Sequence, residues 1–468
     1  MPRNKCQDQA GKITLTIGSL IDWGGGKSEI SETTRRREVS TVWNDSRKVT
    51  PGDVFVALRS ESDDGHNYVQ TAVEKGAVAA IVDKKGIEKV PAKHRRKCIV
   101  VTDTLKSIQK AAARYRKEMG ILVIGVTGSN GKTTTRSFIS EVLKSSVKIG
   151  ETFTNWNNHI GVPQSILRFD GDEWAGVLEM GANHVGEIGP LSKICKPDIA
   201  IITNIGYAHV GLFGSLENTT QGKFEIADGL DKNGFMLLNG DDRRLVQGAK
   251  ERGLKTIFYG TTPKCAVRAQ NIRVSETEVR FTVDGDEYFL TMPGRHFIYA
   301  ALPAIHIAKR CGISGVAIRD AIASLKPVSL RGKLELKKGV RFIVDCYNAN
   351  PSSMSNAIKY LCDVTPAEKS RVAVIGDMYE LEQYTRKLHE KLGGELVKAD
   401  VQKIIAVGKF SNYVADGAVK AGLPKKKIFS AKNSEEALSV CRSVLKKGET
   451  VLLKGSRSVG LEKIFEEF

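Results

Sequence analysis

Residues 125–135, GVTGSNGKTTT, combine glycines, a lysine and hydroxyls in an order suited to gripping phosphate. Glycines let a backbone approach an anion, the N–H groups at a helix start point at it, and a lysine neutralises its outer oxygens. The strict pattern G-x-x-x-x-G-K-[ST] is not met, because Val126 stands where its first glycine belongs, between Gly125 and Gly128. The physical logic survives. The apolar run ILVIGV leads in, and TTTRSFISEVLKS follows with Phe138, Ile139, Val142 and Leu143 on one helical face. Gly128, Ser129, Asn130, Gly131, Lys132, Thr133 and Thr134 are therefore candidates to hold a phosphate chain. Lys132 would face the outer phosphates, and the Thr133 hydroxyl would ligate Mg²⁺.

Mg²⁺ takes oxygen ligands, usually one or two carboxylates with phosphates and water. Glu179, in VLEMGANH, ends an apolar strand where a lone charge would be costly. His209, in TNIGYAHVG, follows the next strand by a short loop. A lone histidine is more often structural, so the residues alone leave both readings of His209 open.

Such groups meet only if a sheet delivers them to one edge. From about Ile121 the chain alternates apolar strands (ILVIGV, WAGVLEM, DIAIITNI) with helical segments, which predicts a parallel sheet covered by helices. A second alternating block starts near Val328, with strands at VRFIVDCY, SRVAVIGDM, VQKIIAVG and TVLLKGS. It reads as a doubly wound unit. Before Arg116 the segment mixes a strand at GDVFVAL with a helix at YVQTAVEKGA that ends at Gly76. The chain has 468 residues, and at roughly 100–200 residues per domain this fits about three domains: 1–116, 117–327 and 328–468.

Composition narrows the class. An apolar fraction of 41% supports ordinary cores. The start, MPRNKCQDQAGK, has no apolar stretch behind its charges, and runs such as AVAAIV at Ala77 are far shorter than a membrane span. A cytoplasmic protein without a transmembrane segment is expected. The eight cysteines include no C-x-x-C pair, which argues against zinc and dithiol redox sites. The net charge of +18 comes with short basic clusters at Arg35, Lys93 and Lys425 that lack interleaved aromatics. That favours a solvated surface, then attraction of anionic substrates or membrane, over nucleic-acid binding.

The motifs GVTGSNGKTTT, NWNNHIGVP, LEMGANHVGEI, TNIGYAHVGLFGSLE and DCYNANPSSM occur together and in order. With DSRKVTPGDVFVAL, GDMYEL and KGSRSVGLE, they resemble the Mur ligases from about Asp45 to Glu462. The resemblance implies an α/β chain of three domains: an N-terminal UDP-binding domain, a central P-loop ATPase and a C-terminal Rossmann-like domain. It implies an ATP-dependent, Mg²⁺-requiring ligase that makes an amide through an acyl phosphate. The motifs are most similar to those of the member joining D-alanyl-D-alanine to UDP-N-acetylmuramoyl-tripeptide. A monomer is expected, with a C-terminal domain that swings about the region near Val328.

The resemblance also assigns roles. Lys132 and Thr133 match phosphate and Mg²⁺ residues, and Glu179 and His209 match metal ligands. Lys223, in TTQGKFEIA, matches a lysine carbamylated by CO₂, whose anionic oxygens would suit a metal. Asn157 and Asn158 match residues near the substrate peptide, and Ser46 and Arg47 the UDP-binding turn. Asp345, Tyr347 and Asn348 match the C-terminal motif that approaches the nucleotide. Departures are present as well. GRHFIYAAL places Phe297 and Ala300 where the family has asparagines near adenine, so adenine must be held differently or by stacking. RGKLE puts Lys333 in the place of an arginine, unless Arg331 reaches in. Ser60 replaces a usual glycine. Two rivals are the tripeptide-forming sister step, whose DNPR motif is missing here, and a catalytically silent nucleotide-binding homologue.

Overall fold

Among the residues that the computed structural model describes, 11–366 and 368–468, the strands form four sheets. Cys6 and most of the charged start fall outside the described residues. Around the glycine loop, Leu122–Thr127 is the buried strand that ILVIGV predicts. It lies between Ala175–Glu179 and Ile199–Ile202, parallel to both. Across the sheet the order is Val267–Arg268, Thr256–Gly260, Phe235–Asn239, Ile199–Ile202, Leu122–Thr127, Ala175–Glu179 and Ile149–Glu151. The chain leaves Leu122–Thr127 toward one edge and later continues on its other side. The strand order therefore reverses beside the glycine loop, and at such a switch point the strands' carboxyl ends leave a crevice for a ligand.

The helix Lys132–Lys144 buries Phe138, Ile139, Val142 and Leu143 completely. That face packs between the sheet and the helix Ile298–Arg310, in one apolar cluster with Leu122, Ile124, Val126 and Ile305. Burying each such side chain contributes roughly 1.5–3 kcal/mol. The same cluster takes in an antiparallel hairpin sheet of Gln270–Val274, Val279–Val283 and Asp286–Leu290, which the strand–helix alternation does not predict.

The N-terminal sheet orders Lys27–Ser28, Cys98–Val101, Ala79–Asp83, Val54–Val56 and Val42–Trp43, with the first strand antiparallel. It is joined to the central sheet by Thr104–Met119, a helix capped by Asp103 and closed by Gly120 in a left-handed conformation. Tyr115 on this helix is buried, and its hydroxyl donates to the carbonyl of Phe169 at 2.8 Å. One continuous apolar cluster runs from Leu15 and Ile17 through Ile108 and Tyr115 to Val123, Leu178 and Ile202.

The C-terminal sheet orders Lys333–Lys337, Val340–Asp345, Thr450–Lys454, Arg371–Gly376, Lys403–Val407 and Ile428–Ala431. All neighbours are parallel except the first pair. The last strand of the chain, Thr450–Lys454, inserts between Val340–Asp345 and Arg371–Gly376, so Asp345 and Lys454 end side by side. No helix among the described residues is long and apolar enough to cross a membrane.

Phe138→Ala empties a fully buried site where two helices and the sheet meet. It is expected to destabilise the central unit by about 3–5 kcal/mol, seen as a lower thermal midpoint for that unit's calorimetric transition.

Candidate functional site

The glycine loop is built from both neighbouring strand ends. Gly128 has φ 140°, and a Cβ there would stand 2.0 Å from the Thr203 hydroxyl oxygen, so only glycine fits that turn. Gly125, by contrast, lies inside the strand and packs under Met180. Ser129 and Asn130 are fastened to the loop after Ile199–Ile202. Ser129 N–H donates to the Asn204 carbonyl at 3.0 Å, and Asn130 N–H to Asn204 Oδ1 at 3.0 Å. Gly131, at φ 77°, begins the helix Lys132–Lys144 with no side-chain cap. Its first N–H groups are thus left for an anion. Thr133 and Thr134 follow on the first turn. The Lys132 ammonium donates to the Gly128 carbonyl at 2.8 Å. Desolvation pushes its pKa down, and Glu179 partly offsets this.

Glu179 ends its strand only 2% exposed. Oε1 accepts from Asn157 Nδ2 at 2.8 Å, while Oε2 is buried without a hydrogen-bond partner. Arg136 Nε stands 3.9 Å from that oxygen, beyond hydrogen-bond reach. A buried carboxylate oxygen left without a donor is costly, and a cation would satisfy it. With the Thr133 hydroxyl on the same sheet edge, the oxygen donors fit Mg²⁺.

Lys223, from the helix Leu216–Phe224, is 1% exposed. Its Nζ donates to the Ala182 carbonyl at 3.3 Å and lies 4.9 Å from the centre of the Phe213 ring. Burial, then repulsion from Lys132, brings its pKa down to about 7, against Glu187 and Glu225, which raise it. Much of this amine is therefore neutral at pH 7. His209 has φ 57° and starts the short helix Val210–Phe213. Its Nδ1 lies against the Glu380 carboxylate of the C-terminal unit.

The C-terminal unit sends further groups to the loop. Arg331 Nη2 donates to the Thr133 hydroxyl at 3.1 Å, and its guanidinium covers the Tyr347 ring at 4.1 Å. Lys333, expected in that place, instead lies on the surface strand Lys333–Lys337, 60% exposed at its side chain and paired with Glu335. Strand alternation turns Lys333 outward, whereas Arg331 sits in the preceding loop and is free to reach the phosphate edge. Asn350 Nδ2 donates to Asn130 Oδ1 at 2.7 Å. Asn350 also caps the helix Pro351–Val364. Asp345 accepts from Lys454 Nζ at 2.7 Å, and Lys454 also donates to the Asn348 carbonyl at 3.0 Å. Asn350, Lys454 and Glu380 lie within motifs quoted from the sequence, but none stood out as a site residue. The available signal was Asn-Pro-Ser-Ser as a helix start for Asn350, and none for the other two.

Phe297 and Ala300 are buried. The Phe297 ring stacks on Phe138 at 6.3 Å and meets Tyr360 edge-on at 6.2 Å. It is a core residue with no free face. Its neighbour His296 is half-buried, and desolvation pushes its pKa down to about 4, so it is neutral at pH 7.

At the far end, Ser46 is buried in its turn, while the Arg47 side chain is 86% exposed with its fork on Asp45 at 2.9 Å. Asn158 accepts from the N–H groups of Ile160 and Gly161 and so begins the helix Gly161–Ile166. An aromatic cluster links this loop to the turn. Trp43 meets Trp156 edge-on at 5.4 Å, and the Arg168 guanidinium lies 4.0 Å over Phe153. The structure thus gathers Lys132, Thr133, Glu179 and Asn157 at one sheet edge. Lys223 lies close enough to Lys132 to be repelled by it and is joined to His209 through Phe213, Tyr347 reaches the loop through Arg331, and Asp345 and Asn348 are held by Lys454 within the C-terminal unit. Ser46 and Arg47 lie across the aromatic cluster.

Comparison with known proteins agrees with this layout. Residues 38–126 match the model for the Mur ligase family, catalytic domain. Residues 126–308 match the Mur ligase middle domain, and 332–457 the Mur ligase, glutamate ligase domain. The UDP-N-acetylmuramoyl-tripeptide–D-alanyl-D-alanine ligase of Bacillus subtilis is 35% identical over 431 residues, 91% of this chain and 92% of the relative. The crystal structure of MurF from Acinetobacter baumannii superposes with a TM-score of 0.85 at 28% identity, covering 98% of this chain and 99% of that one. MurF from Thermotoga maritima in complex with ADP gives 0.80 at 28% identity, covering 92% and 97%. With three family domains in order around one phosphate-binding edge, the chain belongs to the Mur ligase family.

Proposed function

We infer that this chain is an ATP-dependent, ADP-forming ligase that joins D-alanyl-D-alanine to UDP-N-acetylmuramoyl-tripeptide in peptidoglycan precursor synthesis. The observation that carries this reading is the buried Glu179 carboxylate, with one unsatisfied oxygen beside Lys132 and Thr133. A catalytically silent homologue would have no use for so costly a group. A cytoplasmic monomer, divided at 1–116, 117–327 and 328–468, belongs to the same reading. All strands of each sheet fall within one of these segments, and Thr104–Met119 spans the first junction.

A carboxylate is a poor electrophile and oxide a poor leaving group, so the peptide's acid must first accept the γ-phosphoryl group of ATP. The dipeptide amine then attacks the acyl phosphate, and phosphate departs. The chain supplies position and charge rather than covalent help. The loop N–H groups and Lys132 hold the phosphates. Arg331, anchored on Thr133 and backed by Tyr347, brings a second cation to the same oxygens. Thr133, Glu179, His209 and a carbamylated Lys223 would hold Mg²⁺. When bound, the ion neutralises phosphoryl oxygens and relieves the exposed cost of Glu179. Asn157 fixes one Glu179 oxygen and so orients the other. Asp345, Tyr347 and Asn348 would border the nucleotide. Ser46 and Arg47 would take the UDP end, with Asn157 and Asn158 nearer the peptide.

Phosphate release from ATP is expected to require UDP-N-acetylmuramoyl-tripeptide and D-alanyl-D-alanine together; release indifferent to the dipeptide would refute the assignment. In that assay Glu179→Ala should lose more than the roughly 10–100-fold that a group behind a metal ligand costs, with an unchanged circular dichroism spectrum.

The lowered pKa of Lys223 makes CO₂ capture a pH-dependent step. Only the neutral amine adds CO₂, so the carbamate is favoured above about pH 7 and lost as pH falls below it. Activity of enzyme stripped of CO₂ should therefore recover with added bicarbonate, and recovery should need more bicarbonate at pH 6 than at pH 8, a difference of about two pH units about the midpoint. Lys223→Ala should show no bicarbonate response.

A further inference from the structure

Asn130 of the glycine loop and Asn350 of the C-terminal unit share one hydrogen bond, from Asn350 Nδ2 to Asn130 Oδ1 at 2.7 Å. The sense of that bond is fixed from one end. Asn350 caps the helix Pro351–Val364: its Oδ1 accepts from Ser353 N–H at 3.0 Å, and its own N–H donates to Ser353 Oγ at 3.0 Å. An amide side chain has one acceptor oxygen and one donor nitrogen. With the oxygen spent on the cap, Asn350 has only its NH₂ to turn toward Asn130. Asn130 must answer with Oδ1, so its Nδ2 faces the other way.

That Nδ2 is buried and has no hydrogen-bond partner among the described residues. The backbone cannot shift to relieve it, because it is tied on both sides. Asn130 N–H donates to Asn204 Oδ1 at 3.0 Å, and the Asn130 carbonyl accepts from Thr203 Oγ1 at 2.6 Å and Asn204 Nδ2 at 2.9 Å. A Cβ on Gly206 would stand 3.5 Å from Nδ2 and 2.6 Å from Ser352 Oγ, so this glycine keeps a side chain out of the space beside the donor. The next residue along the loop, Gly131, opens the uncapped helix whose first N–H groups are left for an anion. A buried donor without an acceptor is costly, and this one lies one residue from a phosphate cradle. We propose that the Asn130 side chain is a further nucleotide-binding group, its Nδ2 donating to a phosphate oxygen, and that Asn350 is the positioning residue that sets the amide this way round. This rests on the reading of the glycine loop as the ATP site. It adds to the loop a donor whose direction is set by a helix start in the C-terminal unit.

The alternative is a bond that only docks the two units, and the two roles rank the same variants in opposite orders. ADP and a non-hydrolysable ATP analogue, each with Mg²⁺, are titrated into the full chain by isothermal calorimetry, with thermal midpoints as the check on folding. Serine and aspartate both cap helices well, so Asn350→Ser and Asn350→Asp keep the helix start. Asn130→Ala removes the donor and should weaken binding by roughly tenfold or more. Asn350→Ser releases the Asn130 amide without reversing it and should stay within about threefold of the parent. Asn350→Asp offers only acceptors, so it draws Asn130 Nδ2 to itself and turns Oδ1 toward the phosphates; it should fall as far as Asn130→Ala. In the Asn130→Ala background the same aspartate should cost at least roughly fivefold less than in the parent, since no amide is left to turn. If Asn350→Ser falls as far as Asn130→Ala while Asn350→Asp binds like the parent, the bond only docks the units and the proposal falls. If Asn130→Ala binds like the parent, no donor was lost and it falls. If the aspartate costs the same in both backgrounds, its charge acts directly on the nucleotide and it falls again. Where Asn130→Ala does not fold, the order of the two Asn350 variants decides alone. A parent chain that binds neither nucleotide refutes the reading of the loop itself and takes the proposal with it.

Discussion

Glu179 is a carboxylate 2% exposed to solvent, with one oxygen lacking any hydrogen-bond donor. Kept ionised in that position, it is among the more costly features a fold can carry. The rest of the site is arranged as if to make that cost useful. Asn157 ties down one oxygen, Arg136 stops 3.9 Å short of the other, and Lys132 lies close enough for Glu179 to raise its pKa. An arginine bonded directly to Oε2 would stabilise the protein better and leave nothing for a cation to bind. The excess of positive side chains here is held back by geometry.

The same tension explains why cations converge from two units without being paired. Lys132 is desolvated and repelled by Arg331, and Lys223 is buried and repelled by Lys132, so both have lowered pKa values. Arg331 arrives from the C-terminal unit, stacked on Tyr347 and anchored to Thr133. These groups would repel one another in an empty crevice. A polyphosphate entering there meets charge that the fold has already assembled, so little reorganisation is left for the chemical step.

Much of this was legible in the sequence where a local rule applied. The strand before the glycine loop and the buried face of the helix after it follow from apolar periodicity, and Glu179 from a charge at the end of an apolar run. The groups that come from afar were harder. Lys454 reaches Asp345 because the last strand inserts between two earlier ones, a register that no local pattern encodes. Lys333 and Arg331 both looked able to fill one place, and strand alternation, which turns Lys333 outward, decided between them. Phe297 reads as a change in a binding motif, yet it packs on Phe138 as core. A buried aromatic and a stacking platform have the same letter, and only the neighbours tell them apart. The hairpin sheet Gln270–Leu290 was hidden because its short strands carry polar faces.

The two junctions between units differ in kind, and the difference bears on how the enzyme works. The N-terminal and central units share one apolar cluster through Thr104–Met119, so separating them would expose a continuous core. The C-terminal unit meets the central one mainly through polar contacts: Arg331 on Thr133, Asn350 on Asn130, Glu380 on His209 and the Gly211 amide. Apolar contacts accompany them: Val210 and Tyr207 pack into the C-terminal unit's cluster, and Tyr360 of that same cluster meets Phe297 edge-on. Polar groups exchange protein partners for water at little net cost, whereas an apolar core does not. The second junction is therefore the one that would part at less cost. Its contacts fall on the glycine loop and on His209, so parting it would take Arg331 from Thr133 and Asn350 from Asn130.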